Sequence, residues 1–323
     1  MRIATIYQPV REDLAEVEKQ FKLIVENQRV PFPEFHEMLS HVLVGGKVIR
    51  PALTLLCGKF YNYDLVELLP MATASELLHI ATLVHDDAID HSSVRRFRTT
   101  VNKIWGEEKA ILLGDYLFAM AGKFAAATGN LRVVKLFAET LRIISRGELK
   151  QGFSAFKLEQ TFDDYLERIS AKTAALFLMA AESGAVLSQA PEESVQILKD
   201  YSFNLGIAFQ VVDDILDFIG TEEEMGKPGG SDLSQGTLTL PAMLLLKHYP
   251  GDNPVKRLFE DRDKGENIAP AIEAVRNSSV IDECYQVASG YRDKGCQNLK
   301  LLPNCPGRRS LAELADYIIQ RKR

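Results

Sequence analysis

The chain has 323 residues, of which 46% are hydrophobic and 25% charged, a balance typical of globular proteins with a substantial buried core. This composition excludes a disordered scaffold, and the formal net charge of -6 argues against general nucleic-acid binding, which favours a basic surface. No Pro/Gly/Ser-rich linker divides the sequence, so we predict a single domain over residues 1–323.

The cysteines and the apolar stretches bear on the location of the protein. Cys57, Cys284, Cys296 and Cys305 form no close CxxC pair, and the N-terminal residues lack the apolar stretch of a signal peptide. We therefore expect a cytoplasmic protein. The most apolar stretches, 111–127 and 173–190, are interrupted by charged or polar residues, so we expect no transmembrane segment.

Helical periodicity dominates the sequence, and alternating strand patterns are scarce. In residues 13–28, apolar residues recur at steps of three or four, as an amphipathic helix requires. Further helices are predicted at 36–44, 48–60, 66–90, 105–127, 130–154, 162–187, 192–219, 236–248, 267–275, 278–299 and 309–321. Turn-forming residues between them mark the breaks. The pattern predicts an all-α helical bundle.

Two of these helices carry the same pattern of carboxylates, DDxxD. The acidic residues are Asp86, Asp87 and Asp90 in the first helix and Asp213, Asp214 and Asp217 in the second. Residues four apart lie nearly above each other on a helix, so each segment presents a cluster of negative oxygens.

Such clusters are costly inside apolar helices. At ~4 Å two carboxylates repel by roughly 1 kcal/mol in water and by ~4 kcal/mol at an effective dielectric constant of 20. A single DDxxD is compatible with an ordinary solvated helix face. Two copies within apolar segments instead predict that Mg2+, which prefers oxygen ligands, neutralises both clusters around one diphosphate.

Basic residues follow or precede these clusters. Gly45 and Gly46 lead into Lys47 and Arg50 just before a helix, an arrangement that suits an anion, although a turn with solvated cations has the same composition. The first cluster is followed by Arg95, Arg96 and Arg98, whose guanidinium groups can bind phosphate in a bidentate manner. His79, Lys172, Gln210 and Lys227 each fit a scaffold role, but they lie close in sequence to the same candidate segments or in helices that lead to them.

The ordered set of motifs resembles the trans-polyprenyl diphosphate synthases over nearly the whole chain, and the long-chain type is the most similar. The resemblance rests on Gly45-Gly46-Lys47-Val48-Ile49-Arg50-Pro51, Glu76-Leu77-Leu78-His79, both Asp clusters, Arg95-Arg96, Gly114-Asp115-Tyr116-Leu117, Gly147-Glu148-Leu149-Lys150-Gln151, Lys172-Thr173-Ala174, Gly226-Lys227-Pro228, Thr239-Leu240-Pro241 and the terminal helix 309–321.

The resemblance implies a fold of the isoprenoid synthase type, a helical bundle around a large central cavity. It also implies head-to-tail condensation of isopentenyl diphosphate with an allylic prenyl diphosphate, assisted by Mg2+, with three ions per active site when diphosphate is bound. Asp86, Asp90 and Asp213 would supply the principal metal contacts, and Asp87, Asp214 and Asp217 would complete the carboxylate lining. A homodimer is implied as well, with loose membrane association for product release.

The same resemblance assigns the remaining site residues. Arg95, Lys172 and Lys227 would hold the allylic diphosphate. Lys47, Arg50, His79 and Arg96 would hold isopentenyl diphosphate. Thr173 and Gln210 would place polar oxygens near the allylic cation. The departing diphosphate is the expected proton acceptor, so we predict no Ser, Cys or His nucleophile.

Small residues precede the first Asp cluster on its helix. Ala81 and Thr82 lie roughly 6 to 8 Å below Asp86 at 1.5 Å per residue. In the family the growing chain passes this point, and neither residue carries a ring that would block it. We therefore expect a product longer than geranylgeranyl diphosphate, although ordinary helix packing also favours small residues.

Three positions depart from the family pattern. Val48 stands where a basic residue is common, Phe97 replaces the glycine expected after the Arg pair, and Thr237 stands where lysine is frequent. None removes a carboxylate of the two clusters, so we expect catalysis to be retained.

Two other functions share parts of this pattern. A class I terpene cyclase also ionises allylic diphosphates, but the two full DDxxD clusters and the segment 45–51 favour condensation. A non-catalytic subunit that binds prenyl diphosphate and stabilises a partner enzyme would not need two intact clusters. The sequence does not fix the exact product length, the preferred primer or the downstream pathway.

Overall fold

The computed structural model describes residues 3–28, 32–95, 97–220, 229–260 and 268–321. In chain order the helices are α1 (Ile3–Ile6), α2 (Arg11–Glu26), α3 (Pro33–Val42), α4 (Ile49–Gly58), α5 (Leu65–Ile89), α6 (Val101–Trp105), α7 (Glu107–Ala127), α8 (Leu131–Ser154), α9 (Phe162–Ile169), α10 (Ala175–Leu187), α11 (Glu192–Ile219), α12 (Ser231–Ser234), α13 (Leu240–His248), α14 (Pro254–Glu260), α15 (Ile268–Arg276), α16 (Val280–Cys296) and α17 (Pro306–Gln320).

Shorter elements lie between these helices. Strands β1 (Val94–Arg95) and β2 (Arg98–Thr99) pair as a small antiparallel hairpin just after α5. Turns of 3-10 helix occupy Gln8–Val10 and Leu299–Leu301, and a π-helical turn, Ser170–Ala174, joins α9 to α10. The prediction of an all-α fold is confirmed.

Local capping fixes where several of the long helices begin. The side chain of Asp64 accepts a hydrogen bond from the second residue of α5, and Asn130 accepts two from the first turn of α8. Thr161 and Asp164 form a reciprocal capping box at the start of α9. These side chains satisfy amide groups that have no partner inside the helix.

The long helices pack around a core that contains parts of both Asp-bearing segments. Helix α5 packs against α4 and α7, α10 packs against α4 and α11, and α11 packs against α16. The fully buried rings of Tyr165, Phe177, Tyr201 and Phe218 fill the spaces between them. The two Asp-bearing helices, α5 and α11, are therefore held by extensive packing and not by their own helix propensity.

The structure corrects several predicted boundaries. The predicted helix 105–127 is divided at Gly106, whose φ of 94° interrupts the helix between α6 and α7. The predicted helix 236–248 begins only at Leu240, after Gly236 with φ of 74°. Helices α3 and α17 begin earlier than predicted because a proline occupies their first turn, where it has no amide to lose.

Other elements were absent from the prediction. The π-helical turn interrupts the predicted helix 162–187, and α14, α12 and the hairpin were not predicted at all. These elements are short, and their formation depends on contacts with distant segments that no local pattern records.

Two described helical stretches are long and apolar enough to cross a membrane if only length and composition are considered. They are Glu107–Ala127 and Phe162–Leu187, and 78% of the tested window in the second is buried inside the protein. Core helices of soluble proteins pass the same test, so this finding is weak evidence. The absence of a transmembrane segment stays a prediction.

Candidate active site

A cavity of about 310 Å³ lies between α5, α8, the π-helical turn and α11. Predicted site residues that line it are Arg50, His79, Thr82, Asp86, Asp90, Arg95, Lys172, Thr173, Gln210, Asp213 and Asp214. Arg96 and Lys227 lie outside the described residues. The fold therefore brings together one face of each Asp-bearing helix, which is the arrangement that the repeated DDxxD pattern predicted.

Two glycines allow the walls of this cavity to approach the π-helical turn. A Cβ atom on Gly147 of α8 would lie 2.7 Å from Cβ of Ala171, and one on Gly206 of α11 would lie 2.6 Å from Cα of Ala174. Any side chain at these points would separate α8 and α11 from the turn. The turn between them carries Lys172 and Thr173 into the cavity, as π-helical turns often do at functional sites.

The three acidic residues of the first cluster have different surroundings. Asp86 and Asp90 line the cavity. Asp87 is 6% exposed and accepts a 2.7 Å hydrogen bond from Nε of Arg95, so it does not face the cavity. Burial raises the pKa of Asp87, and Arg95 opposes that rise. Asp87 thus orients a cation, whereas its two neighbours present oxygens to the cavity.

Lys172 spans two carboxylates on the cavity wall. Its Nζ lies 3.3 Å from Oδ2 of Asp86 and 3.0 Å from Oε1 of Glu148. Burial alone would lower the pKa of Lys172, but the two carboxylates outweigh it and raise that pKa above its ordinary value. Lys172 therefore remains a cation and supplies positive charge on the cavity wall.

Glu148 was not predicted as a site residue. The segment around it contributed to the family resemblance, but a single glutamate on an amphipathic helix carried no signal of its contact with Lys172. Burial raises the pKa of Glu148, and Lys172 opposes that rise. Only the packing of α8 against the π-helical turn reveals the pair.

The second cluster is more deeply enclosed than the first. Asp213 lines the cavity, and its Oδ1 accepts a 2.6 Å hydrogen bond from the guanidinium of Arg321. Asp217 is 3% exposed and does not line the cavity, but its Oδ2 accepts a hydrogen bond at 3.2 Å from the backbone amide of Asp232, which does. The same sequence pattern therefore produces two clusters with different geometry.

Asp214 is held by hydrogen bonds on both of its oxygens. Tyr165 donates to Oδ2 and Gln210 donates to Oδ1, each at 2.8 Å. Burial raises the pKa of Asp214 to about 8, with a further rise from Asp232, while the two hydrogen bonds oppose the increase. A carboxyl group engaged in this way supports its neighbours instead of offering a ready oxygen to the cavity.

Arg321 is a second residue that the sequence did not single out. It follows the last turn of α17, and its guanidinium lies 3.8 Å from the centre of the Phe209 ring. The same group donates to the backbone oxygen of Phe209 at 2.8 Å as well as to Asp213. The end of the chain thus reaches the second acidic cluster.

The carboxylates that line the cavity suit a Mg2+ ion that takes its remaining ligands from water and substrate phosphates. Among the described residues, no three His, Cys, Asp or Glu side chains stand close enough together to hold an ion on their own. Mg2+ is typically bound by one or two carboxylates, with water and substrate phosphates as its other ligands. Asp86, Asp90 and Asp213 offer such carboxylates around one cavity, so these residues fit the ion.

The predicted anion-binding residues occupy one end of the site. Arg50 is 7% exposed and lies over the Phe177 ring at 5.2 Å, and His79 also lines the cavity. Lys47 is not part of the cavity lining, and its Nζ lies 5.8 Å from the centre of the Tyr317 ring. Their roles stay predictions, but their placement provides positive charge beside the acidic walls.

Two of the three departures from the family pattern have unusual backbone conformations. Val48 has φ of 42° and Phe97 has φ of 62°, both in the left-handed region that favours glycine. Phe97 lies in the turn of the β1–β2 hairpin, with 60% of its surface exposed. Thr237 lines the cavity.

The two predicted chain-length residues differ in position. Thr82 lines the cavity one turn from Asp86, whereas Ala81 is fully buried and does not line it. Apolar side chains of Leu83, Ile144 and Leu176 continue the wall near Thr82. A contribution of Ala81 to product length stays a prediction.

Several known proteins are similar to this chain in sequence and in fold. A family model described as polyprenyl synthetase matches residues 32–275. Heptaprenyl diphosphate synthase component 2 from Geobacillus stearothermophilus is 37% identical over 321 residues, which cover 99% of each chain.

Two crystal structures also match almost end to end. The polyprenyl synthase from Caulobacter crescentus CB15, complexed with calcium and isoprenyl diphosphate, has a TM-score of 0.93 at 32% identity, covering 100% of this chain and 98% of that one. A decaprenyl diphosphate synthase from Rhodobacter capsulatus has a TM-score of 0.89 at 36% identity, covering 100% of both chains.

Proposed function

This chain belongs to the polyprenyl synthetase family, and from that premise we propose that it is a Mg2+-dependent polyprenyl diphosphate synthase. It condenses isopentenyl diphosphate head-to-tail with an allylic prenyl diphosphate. The observation that carries this proposal is the convergence of Asp86, Asp90 and Asp213 on the cavity that also contains Lys172 and Gln210.

The carboxylates define where the allylic diphosphate binds. Asp86 on α5, Asp90 directly after α5 and Asp213 on α11 would hold the metal ions, for which we propose a number of three per site. Bound Mg2+ supplies neutralisation of the charge that develops on the leaving diphosphate oxygen. The two Asp-bearing helices flank the cavity, so a diphosphate held there would lie between them.

Ionisation of the allylic substrate gives a diphosphate and an allylic cation. Lys172 binds the diphosphate, and the oxygens of Thr173 and Gln210 face the cation. Lys172 contacts both Asp86 and Glu148, so its ammonium group would still be held by Glu148 when it binds the diphosphate. Thr173 and Gln210 present oxygen dipoles to the allylic cation.

Isopentenyl diphosphate approaches from the basic end of the site. Lys47, Arg50 and His79 bind its diphosphate, so its double bond faces the allylic cation. A carbon-carbon bond forms between the two, and the departing diphosphate accepts the proton that the new cation loses. No covalent bond to the protein is needed in this scheme.

We propose a product longer than geranylgeranyl diphosphate. The similarity to a heptaprenyl and a decaprenyl diphosphate synthase supports this length. The lining of the cavity near Thr82, Ile144 and Leu176 is apolar or small and carries no aromatic ring at these points.

The test is incubation of the purified protein with Mg2+, labelled isopentenyl diphosphate and allylic primers of increasing length, followed by separation of the products by chain length. We expect incorporation of several labelled units. A cyclic hydrocarbon from allylic diphosphate alone, without incorporation of label, would instead support a terpene cyclase. Failure of the purified chain to release diphosphate in the presence of Mg2+ would support a non-catalytic subunit.

We further propose that two copies associate through the outer face of α7 and α8. Large apolar side chains are exposed there: Ile111 and Leu112 on α7, and Leu149 and Phe153 on α8, with 48%, 59%, 65% and 77% of their surfaces accessible. Helices α7 and α8 pack against each other, so these residues belong to neighbouring surfaces.

Sedimentation of the purified protein tests this association. Leu112→Asp should shift a dimer towards monomer, whereas Val66→Asp, at a still more exposed apolar residue near the start of α5, should not. The relative from Geobacillus stearothermophilus is named as a component 2. A wild-type monomer that becomes active only with a second kind of chain would overturn the homodimer.

A further inference from the structure

A chain of side-chain hydrogen bonds runs from the buried core to the cavity. Tyr165 on α9 donates to Oδ2 of Asp214, and Nε2 of Gln210 donates to Oδ1, both at 2.8 Å. Thr173 donates from its hydroxyl to Oε1 of Gln210 at 2.5 Å. Tyr165 and Asp214 are 0% and 2% exposed, while Thr173 and Gln210 line the cavity.

When Asp214 is ionised it can only accept hydrogen bonds, and in that form it sets the direction of every bond in this chain. Its oxygen Oδ1 accepts a hydrogen bond, so the amide nitrogen of Gln210 must face it and the amide oxygen must face Thr173. The hydroxyl of Thr173 then gives its single proton to Gln210. Only lone pairs of the Thr173 oxygen are left to face the cavity.

Tyr165 keeps the other oxygen of Asp214 occupied. Its ring lies in an apolar cluster with Ile169, Val211 and Ile215, and it does not line the cavity. Burial and the nearby Asp214 raise the pKa of Tyr165 well above its ordinary value, so the phenol keeps its proton.

We propose that Tyr165 and Asp214 are positioning residues that orient the side-chain amide of Gln210, so that lone pairs of the Thr173 hydroxyl, and not its proton, face the allylic cation. This inference rests on the proposed function. It gives Asp214, which lines the cavity, a positioning role and adds Tyr165 behind the lining to the residues on which the reaction depends.

A reversed amide would have the opposite effect on a cation. If Gln210 turned its nitrogen towards Thr173, the hydroxyl of Thr173 would accept from that nitrogen and could point its own proton into the cavity. A proton in that position repels positive charge. Dipoles stabilise developing charge only when they are already oriented. Loss of the Tyr165 hydroxyl should therefore lower kcat by about 10- to 100-fold, the range typical when hydrogen-bond partners behind the ligands of a site are removed.

The first test compares two conservative variants. Tyr165→Phe removes the bond to Asp214, and Tyr201→Phe is the matched control, since Tyr201 is equally buried but donates to the backbone oxygen of Leu311 at 2.6 Å. Both variants should lower the melting temperature by similar amounts. Only Tyr165→Phe should lower kcat, with the KM values of both substrates nearly unchanged. Equal kcat values in the two variants would overturn the proposal.

The second test asks whether Tyr165 acts through Thr173. In a Thr173→Val background the Tyr165→Phe change should have little further effect on kcat, because the oxygen that it orients is gone. Fully multiplicative effects of the two changes would show that Tyr165 acts by another route and would contradict the inference.

A binding measurement separates this inference from the proposed function. With Mg2+ present, the wild-type protein should bind a prenyl diphosphate analogue with an ammonium nitrogen near C1 more tightly than its neutral carbon isostere. Tyr165→Phe should reduce this preference by about 10-fold, the lower end of the range for loss of a supporting hydrogen-bond partner. Tyr201→Phe should leave the preference unchanged. An unchanged preference in Tyr165→Phe would overturn the inference even if the protein elongates no substrate. Conversely, a reduced preference without elongation would reject only the proposed function.

Discussion

The guanidinium of Arg321 donates a 2.6 Å hydrogen bond to Oδ1 of Asp213, across 108 positions of sequence. The side chain of Arg321 is 4% exposed, so this contact is shielded from water on the side of the arginine. An oxygen on which the proposed mechanism relies for metal binding is therefore already engaged by a cation from the end of the chain.

Replacement of this arginine should make Mg2+ binding easier. In Arg321→Gln the charge that competes for Asp213 is removed, and the Mg2+ concentration for half-maximal activity should fall by about 10-fold, because a hydrogen bond to a charged group is worth roughly 1.5 to 3 kcal/mol. Arg309→Gln is the control, since Arg309 is exposed on the same helix and pairs only with Glu313 there. An unchanged Mg2+ dependence in Arg321→Gln would contradict this competition.

Loss of either facing carboxylate should remove turnover while leaving the helices intact. Asp86→Ala or Asp213→Ala deletes a metal contact worth several kcal/mol in the transition state, which corresponds to about a 10³-fold or greater loss of kcat. Circular dichroism checks the fold, and an isopentenyl diphosphate incorporation assay checks the rate. Asp252→Asn, in an exposed loop, is the control. Near-normal turnover in both alanine variants would defeat the site assignment.

A larger side chain at Thr82 should shorten the products. Thr82 lines the cavity one turn from Asp86, so Thr82→Phe places a ring in the path of the growing chain. Thr82→Val keeps the volume and should leave the length distribution unchanged. Product separation by reversed-phase chromatography measures the outcome, and identical products from Thr82→Phe and the wild type would reject Thr82 as part of the wall.

A matching change at Ala81 tests the other predicted residue. The growing chain is expected to pass Ala81 as well, but Ala81 is fully buried and does not line the cavity. The ring must therefore displace neighbouring side chains before it can narrow the cavity, and overpacking of this kind costs about 1 to 3 kcal/mol. We expect Ala81→Phe to shorten products together with a lower melting temperature, whereas normal lengths would exclude Ala81 from the wall.

Glycine should suit position 97 better than phenylalanine. The backbone of Phe97 has φ of 62°, which costs a non-glycine residue roughly 1 to 2 kcal/mol. Phe97→Gly should therefore raise the melting temperature by about 2 °C or more, as a gain of 1 kcal/mol does in a chain of this size. Phe97→Ala removes the ring but keeps the strained backbone, so it should not be stabilised. Equal melting temperatures for the two variants would show that the backbone strain is not limiting.

The sequence by itself determined the helices and the chemistry of the two acidic clusters. Periodicity and carboxylate spacing are local properties, so they predicted that Asp86 would face the same way as Asp90 and that an all-α bundle would present such faces to one cavity. Order and spacing of the motifs were also enough to reveal the family resemblance.

Only the tertiary structure decided which of these residues share the cavity and which support it. Asp87 and Asp217 belong to the same sequence pattern as Asp86, Asp90 and Asp213, but they do not line the cavity. Asp214 accepts hydrogen bonds from Tyr165 and Gln210. Glu148 and Arg321 meet Lys172 and Asp213 only after distant helices have packed. Such contacts depend on the burial and packing of whole helices, which no local pattern in the chain encodes.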